Sequence, residues 1–244
     1  MDTTVPADVV VIGGGVAGLS AAVFTGRHGL DTLVVDSDES ILKRNAHLEN
    51  FPGFPVGING RQLLDLLEEQ AAEAGCEQVT GTVSNVEQTD GGFTVETADE
   101  ERYRSEYVIA ATKNTTDYLT GMDGVGIIDR GKAFVDTDER GRTGVDGLYA
   151  AGRLAEKPHQ AAVCAGHGAE VGVTILEDDD RPFYHDWVAP EGYFTDRGRE
   201  LPPGCEEIDE DERSEREEAS LAVMQEHFAE QHPDDQETHP SLED

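Results

Sequence analysis

Lysine is the scarcest charge in this chain: only Lys43, Lys113, Lys132 and Lys157 occur in 244 residues, and all bases together number 18 against 52 acids, a formal charge of -34. A nucleic-acid backbone needs clustered bases, so a field of this sign excludes nucleic acid as a main partner, and anionic membrane surfaces with it. Long apolar runs are missing too. No stretch approaches the roughly 18 to 20 apolar residues of a spanning helix, and the first residues lack the basic-then-apolar order of a signal peptide. A soluble cytoplasmic protein is the expectation. Cysteine is sparse as well: Cys76, Cys164 and Cys205 lie far apart. They form neither a disulfide framework nor a CxxC pair, as fits a reducing compartment.

Acid exceeds base everywhere, by 7 to 3 in residues 1–60, 21 to 10 in 61–176 and 24 to 5 in 177–244. Such a surface fits a cytoplasm of very high salt, where counterions screen the self-repulsion of a compact fold. An acidic surface built for one basic partner would instead concentrate its acid in one patch.

Asp8 to Ile12 (DVVVI) reads as a buried parallel strand, Val16 to His28 as a helix stopped by Gly29, and Thr32 to Asp36 (TLVVD) as a second buried strand. Gly60 to Ala74 has helical apolar spacing and ends at Gly75. From Glu77 to Ala111 short alternating stretches and turns at Asp90-Gly91-Gly92 and Asp99-Glu100-Glu101 suggest a β-meander, closed by the apolar strand Tyr107 to Ala111. Strands near Lys132 to Val135 and Gly147 to Ala151 precede a helix from about Gln160 to Leu176. The fold class expected is α/β: a three-layer, Rossmann-like domain over residues 1–176 with a parallel sheet and an antiparallel meander, plus an acidic C-terminal extension over 177–244.

The first chemical signal lies at the first turn, where Gly13, Gly15 and Gly18 form GxGxxG between strand and helix and Asp36 ends the next strand. Gly13 makes the tight turn, Gly15 admits a pyrophosphate to the backbone, and Gly18 lets helix and strand pack closely. The pyrophosphate sits on the positive end of the helix beside Val16 and Ala17, and Asp36 accepts from ribose hydroxyls. An acid rather than arginine at position 36 favours FAD or NAD over NADP.

Segments downstream of the second strand decide for FAD. Glu49-Asn50-Phe51-Pro52-Gly53-Phe54-Pro55 and Gly57-Ile58-Asn59-Gly60-Arg61-Gln62-Leu63 closely resemble the segment after the second strand in the flavin domain of bacterial and archaeal thioredoxin reductases. Thr143 to Gly152 (TGVDGLYAAG) resembles the second flavin motif of that family, and His159-Gln160-Ala161-Ala162 its Arg-Gln-Ala at the helix aimed at the flavin ring. The resemblance implies FAD contacts from Ser37, Asn50, Val83, Thr112, Gly152, Arg153, Gln160 and Ala161 beside the glycine loop and Asp36. It also implies a homodimer and a protein electron donor or acceptor, and the acidic surface points to a halophilic archaeal source.

The departures are as informative. The family inserts an NADPH domain with a second GxGxxG and a redox CxxC where this chain has some 20 residues, Thr112 to Gly131. A βαβ unit alone takes about 30, so that domain does not fit, and without CxxC the dithiol relay does not operate. The family's acid after the second motif is Arg153 here, which donates but does not accept, and its Gly-Gly-Gln loop is Glu39-Ser40-Ile41-Leu42. Cys164 near the flavin-facing helix start reads as packing rather than as a redox thiol. His159, Cys164 and His167 do not share one helical face, so no metal site is expected, and His159 is a solvated loop residue or a flavin neighbour.

Beyond Glu177, Phe183, Tyr184, Trp187, Tyr193 and Phe194 are too aromatic for a linker and are expected to pack on the flavin domain. Residues 206–232 suggest one short amphipathic helix through Leu221, Val223, Met224 and Phe228, and the last dozen residues a disordered end. An FAD-dependent oxidoreductase without the dithiol relay is the first functional reading, and a non-enzymatic FAD-binding redox sensor the alternative. No catalytic acid, base or nucleophile is assignable.

Overall fold

The computed structural model describes residues 4–242. The chain runs through β1 (Val5–Pro6), β2 (Val9–Ile12), α1 (Val16–Arg27), β3 (Thr32–Asp36), α2 (Gly60–Glu73), β4 (Glu77–Thr80), β5 (Val83–Thr89), β6 (Gly92–Thr97), β7 (Arg102–Ser105) and β8 (Tyr107–Ala110). It continues through β9 (Ile127–Asp129), β10 (Ala133–Val135), β11 (Leu148–Ala150), α3 (Ala161–Asp178), β12 (Trp187–Pro190), β13 (Cys205–Ile208) and α4 (Glu210–His227).

Five parallel strands in the order β11-β8-β2-β3-β4 form the central sheet. β2 reads as four apolar residues because both its faces are covered. Val10 and Ile12 join Leu33, Val35, Val108 and Ala110 against Val86, Phe93, Val95 and Tyr103 of the meander, whose order is β1-β7-β6-β5. On the other face Val11 Cγ1 lies 3.1 Å from where a Cβ on Gly18 of α1 would stand. Helices, parallel sheet and meander are thus the three layers expected.

Two assignments change. Glu77–Thr80, expected in the meander, pairs in parallel with β3 instead. As an edge strand it is mostly exposed, so it carries no apolar pattern to reveal its sheet. Lys132 to Val135 contributes β10 to a separate hairpin with β9.

Residues 176–235 form a second compact unit, while 236–242 group with the first, Glu237 N–H donating to the Lys43 carbonyl at 3.0 Å. Glu237 thus gives this stretch a backbone anchor, and the last two residues of the end expected to be disordered, 243 and 244, lie outside the described residues. Within the second unit β12 and β13 pair in parallel, Trp187 beside Cys205. Trp187, Tyr193 and Phe194 meet edge to face with ring centroids 4.8 to 5.5 Å apart, so the rings find partners inside the unit itself. The expected acidic helix is α4, N-capped by Asp209, with Glu210, Asp211 and Glu212 in its first turn, where the helix dipole favours them. Leu221, Val223 and Met224 of this helix and its C-cap Phe228 are exposed.

Glu207 organises this unit. Its carboxylate accepts from the N–H groups of Gly192, Phe194 and Thr195 and from the Thr195 hydroxyl. Desolvation would raise its pKa, but these hydrogen bonds outweigh it and hold the group at about 2, below the ordinary 4.5. A folded pKa below the unfolded one supplies stability above pH 4.5 that is lost as pH falls from 4.5 toward 2. Trp187 is the one tryptophan. Its emission is expected to shift red across that window, and Glu207→Gln to show the shifted emission already at neutral pH; unchanged emission in the variant counts against this role.

Candidate functional site

The site is built where β2 turns into α1. Gly13 adopts φ +106°, and a Cβ there would stand 3.0 Å from the Ala111 carbonyl oxygen, so the turn is closed by β8 as well as by glycine's freedom. At Gly18 a Cβ would lie 1.9 Å from the Gly13 oxygen, which only glycine permits. Gly15 is different: the nearest atom to a Cβ there is Ser40 Oγ at 3.8 Å, leaving open the side from which a pyrophosphate approaches. Gly15 is also the N-cap of α1 and has no side chain to cap it, and the first intrahelical bond is Leu19 N–H to Gly15. The N–H groups of Val16, Ala17 and Gly18 therefore stand at a positive helix end with no intrahelical acceptor.

Asp36 at the end of β3 locks this loop. Its Oδ1 accepts from Gly14 N–H at 2.8 Å and its Oδ2 from Asp38 N–H at 3.1 Å, which fixes the carboxylate beside Ser37 with lone pairs to spare. Asn50 Nδ2 donates to Gln160 Oε1 at 2.8 Å, joining two residues 110 positions apart. Gln160 accepts from Cys164 N–H at 2.9 Å and so opens α3, with Ala161 its first residue. Thr112 comes after β8, its hydroxyl donating to Thr115 O at 2.7 Å and lying 2.8 Å from the Tyr118 hydroxyl.

Other expected residues are placed less directly. Val83 is buried in the core cluster with Val10 and Tyr103, so only its backbone is available to a ligand. Arg153 does not project freely: its guanidinium lies 4.7 Å from the Phe134 ring centroid and donates to Lys157 O at 3.1 Å. Cys164 is buried with Sγ 3.5 Å from Pro158 O, and burial pushes its pKa up, which opposes a thiolate and fits packing. Gly152, with φ +64°, donates its N–H to His167 Nδ1 at 3.0 Å.

Sequence reasoning passed over Tyr118, weighed His167 only as a metal ligand and counted Lys113 only as a charge. Tyr118 and His167 carry no motif and matter through contacts made by distant segments. Lys113 has φ +64°, a left-handed conformation that favours glycine, and no composition argument exposes it. Among the described residues no group of three or more His, Cys, Asp or Glu is placed to hold a metal, and no helix is long and apolar enough to cross a membrane.

The glycine loop, the uncapped α1 and Asp36 fit an FAD-type dinucleotide, and the family comparisons agree. Residues 8–44 match the FAD binding domain family model and residues 55–168 that of the pyridine nucleotide-disulphide oxidoreductases. These matches indicate FAD as the cofactor and support a flavin oxidoreductase domain. Within that class the relatives are thioredoxin reductases. The chain is 34% identical over 116 residues to that of Dictyostelium discoideum, covering 44% of this chain and 36% of that one. It is 36% identical over 107 residues to that of Aquifex aeolicus, covering 43% and 33%. The thioredoxin reductase structure from Gloeobacter violaceus shares the fold with TM-score 0.68 at 17% identity, covering 76% of this chain and 99% of that chain. The comparisons support a thioredoxin reductase-like, FAD-binding oxidoreductase family, although the chain spans about a third of the length of the curated relatives that it matches.

Proposed function

We propose that the protein is an FAD-dependent oxidoreductase that works without the dithiol relay of its relatives. The observation that carries this reading is the Gly13 to Gly18 loop, closed on β8 and held by Asp36 at an uncapped helix end. Bound FAD supplies a ring that takes up and releases a hydride or electrons. The N–H groups of Gly15 to Gly18 hold the phosphates, Asp36 and Ser37 the ribose, and Val83 contributes its backbone. Thr112, Gly152 and Arg153 shape the middle of the site, and Asn50, Gln160 and Ala161 set the start of α3 toward the ring.

Two features support a donor that meets the flavin directly. Between β8 and β11 stand only short 3-10 and hairpin segments, with no βαβ unit, and no CxxC occurs in the chain. The acid-rich, lysine-poor composition supports a cytoplasmic protein of a halophilic archaeon. A homodimer and a protein electron partner are part of the same reading, by likeness to the family.

Purified protein in high salt is expected to be yellow and to release FAD on denaturation; colourless protein overturns the reading. Anaerobic bleaching by NADH or NADPH identifies a nicotinamide donor, and a spectrum that neither changes points to a protein donor. Asp36→Ala, which removes two charge-assisted hydrogen bonds, is expected to weaken FAD binding about 10- to 100-fold. Unaltered affinity by flavin-fluorescence titration would remove Asp36 from the site.

A further inference from the structure

Three of the four lysines and seven of the 18 bases fall within residues 112–160, where eight acids nearly balance them in a chain of net charge -34. The fold then gathers part of that set. Asn114 Nδ2 donates to Ala133 O at 3.2 Å, which fastens the loop carrying Lys113 to the start of β10, next to Lys132. Arg153 lies over Phe134 of the same strand, 4.7 Å from the ring centroid. The acid nearest Arg153 in sequence, Glu156, is held by Arg130 at 3.3 Å.

Lys113 itself stands at φ +64°, a strained position that a glycine would occupy at lower cost. It comes directly after Thr112, whose backbone N lies 3.5 Å from a Cβ built on Gly13, so the lysine adjoins the glycine loop. The electrostatics agree. The Lys113 pKa is lowered by burial and then by Lys132 and Arg44, and that of His159 by burial and then by Lys113, Arg153 and Lys132, with no acid offsetting either. Within an acidic surface these groups feel each other, which favours an anion among them.

We propose that Lys113, Lys132 and Arg153, with His159 beside them, form an anion site next to the flavin pocket that takes the phosphate groups of a small redox substrate. A nicotinamide dinucleotide has the required chemistry, its pyrophosphate on the lysines and its ring free to meet the flavin. Lysine serves phosphate as a compact point charge, and Arg153, immobilised on Phe134, loses little entropy on joining. The role as substrate site rests on the flavin reading; the anion site itself is measured separately.

The test uses flavin-loaded protein and calorimetric titration with inorganic pyrophosphate and with NADH. Wild type is expected to bind both, and Lys113→Gly and Lys132→Gln each to weaken binding about tenfold or more at one fixed salt concentration. Lys113→Gly relieves the left-handed strain, so its thermal midpoint is expected to hold or rise, which separates lost binding from lost folding. Wild type that binds neither probe, or variants that bind as wild type does, would overturn the proposal. Variants that lose flavin in proportion would overturn it too, by assigning the lysines to the phosphates of FAD. Binding of an acidic peptide but not of pyrophosphate or NADH would replace the small molecule by a protein partner. Colourless wild type with lysine-dependent pyrophosphate binding would keep the anion site and remove only its pairing with flavin.

Discussion

Gly168→Ala is expected to lower the thermal midpoint of the flavin-binding unit by about 6 to 12 °C, from an overpacking cost of about 3 kcal/mol in a unit of this size. A Cβ on Gly168 of α3 would stand 2.0 Å from the Ala17 carbonyl oxygen of α1. No side chain there is free to swing away, because the atom struck is backbone. One turn on, a Cβ at Gly172 would meet Phe24 Cβ at 2.8 Å and the Ala21 oxygen at 3.0 Å, so the two helices cross backbone to backbone. Separating them moves the start of α3, with Gln160 and Ala161, relative to the glycine loop, and flavin retention is expected to fall with stability. Gly166→Ala is the internal control, since nothing lies within 4 Å of a Cβ there. In a helix interior that change is expected to be neutral or to stabilise by up to about 1 kcal/mol. Equal midpoints for the two variants would refute the crossing as the cause.

Acidification between pH 6.5 and 4 is expected to remove about 3 kcal/mol of stability through His167. Burial, followed by the charge of Lys157, lowers its pKa from 6.5 to about 4. Its Nδ1 accepts the Gly152 N–H, so the folded protein holds the ring neutral. A folded pKa below the unfolded one means that the unfolded chain takes up the proton first. Stability is then fully present above pH 6.5 and is lost as pH falls through the window to 4. His167→Asn keeps an acceptor for Gly152 but does not titrate. Chemical denaturation at pH 7 and pH 4.5 is expected to show a smaller acid loss in the variant; an equal loss would mean that other groups carry the pH dependence.

Legibility differed by element for physical reasons. β2, β3 and β8 announced themselves because central strands covered on both faces must be apolar throughout. β4 hid because an edge strand shows water most of its residues. The helix through Leu221 to Phe228 was readable, but its exposure was not, because spacing shows a face without saying what covers it. The aromatic segment was readable as too aromatic for a linker, but the edge-to-face contacts of Trp187, Tyr193 and Phe194 depend on the β12–β13 pairing, which no local pattern announces. In the candidate site, Gly13, Gly15, Gly18 and Asp36 are legible in the sequence since each answers a local backbone requirement. Arg153 was recognised as a departure, while its stacking on Phe134 depends on a hairpin that no pattern predicted.

Sequence by itself determined the class of ligand, because a tight turn, a close phosphate approach and an acid one strand away are local demands that specific residue types meet within 24 positions, Gly13 to Asp36. Only the tertiary structure decided where the few cations meet. Lys113, Lys132 and the Arg153–His159 stretch lie on three segments, and the Asn114 to Ala133 bond and the Arg153 to Phe134 stacking draw those segments together. Linear charge counting sees a nearly neutral stretch there, whereas electrostatic energy depends on distance in space, which the folded chain alone sets.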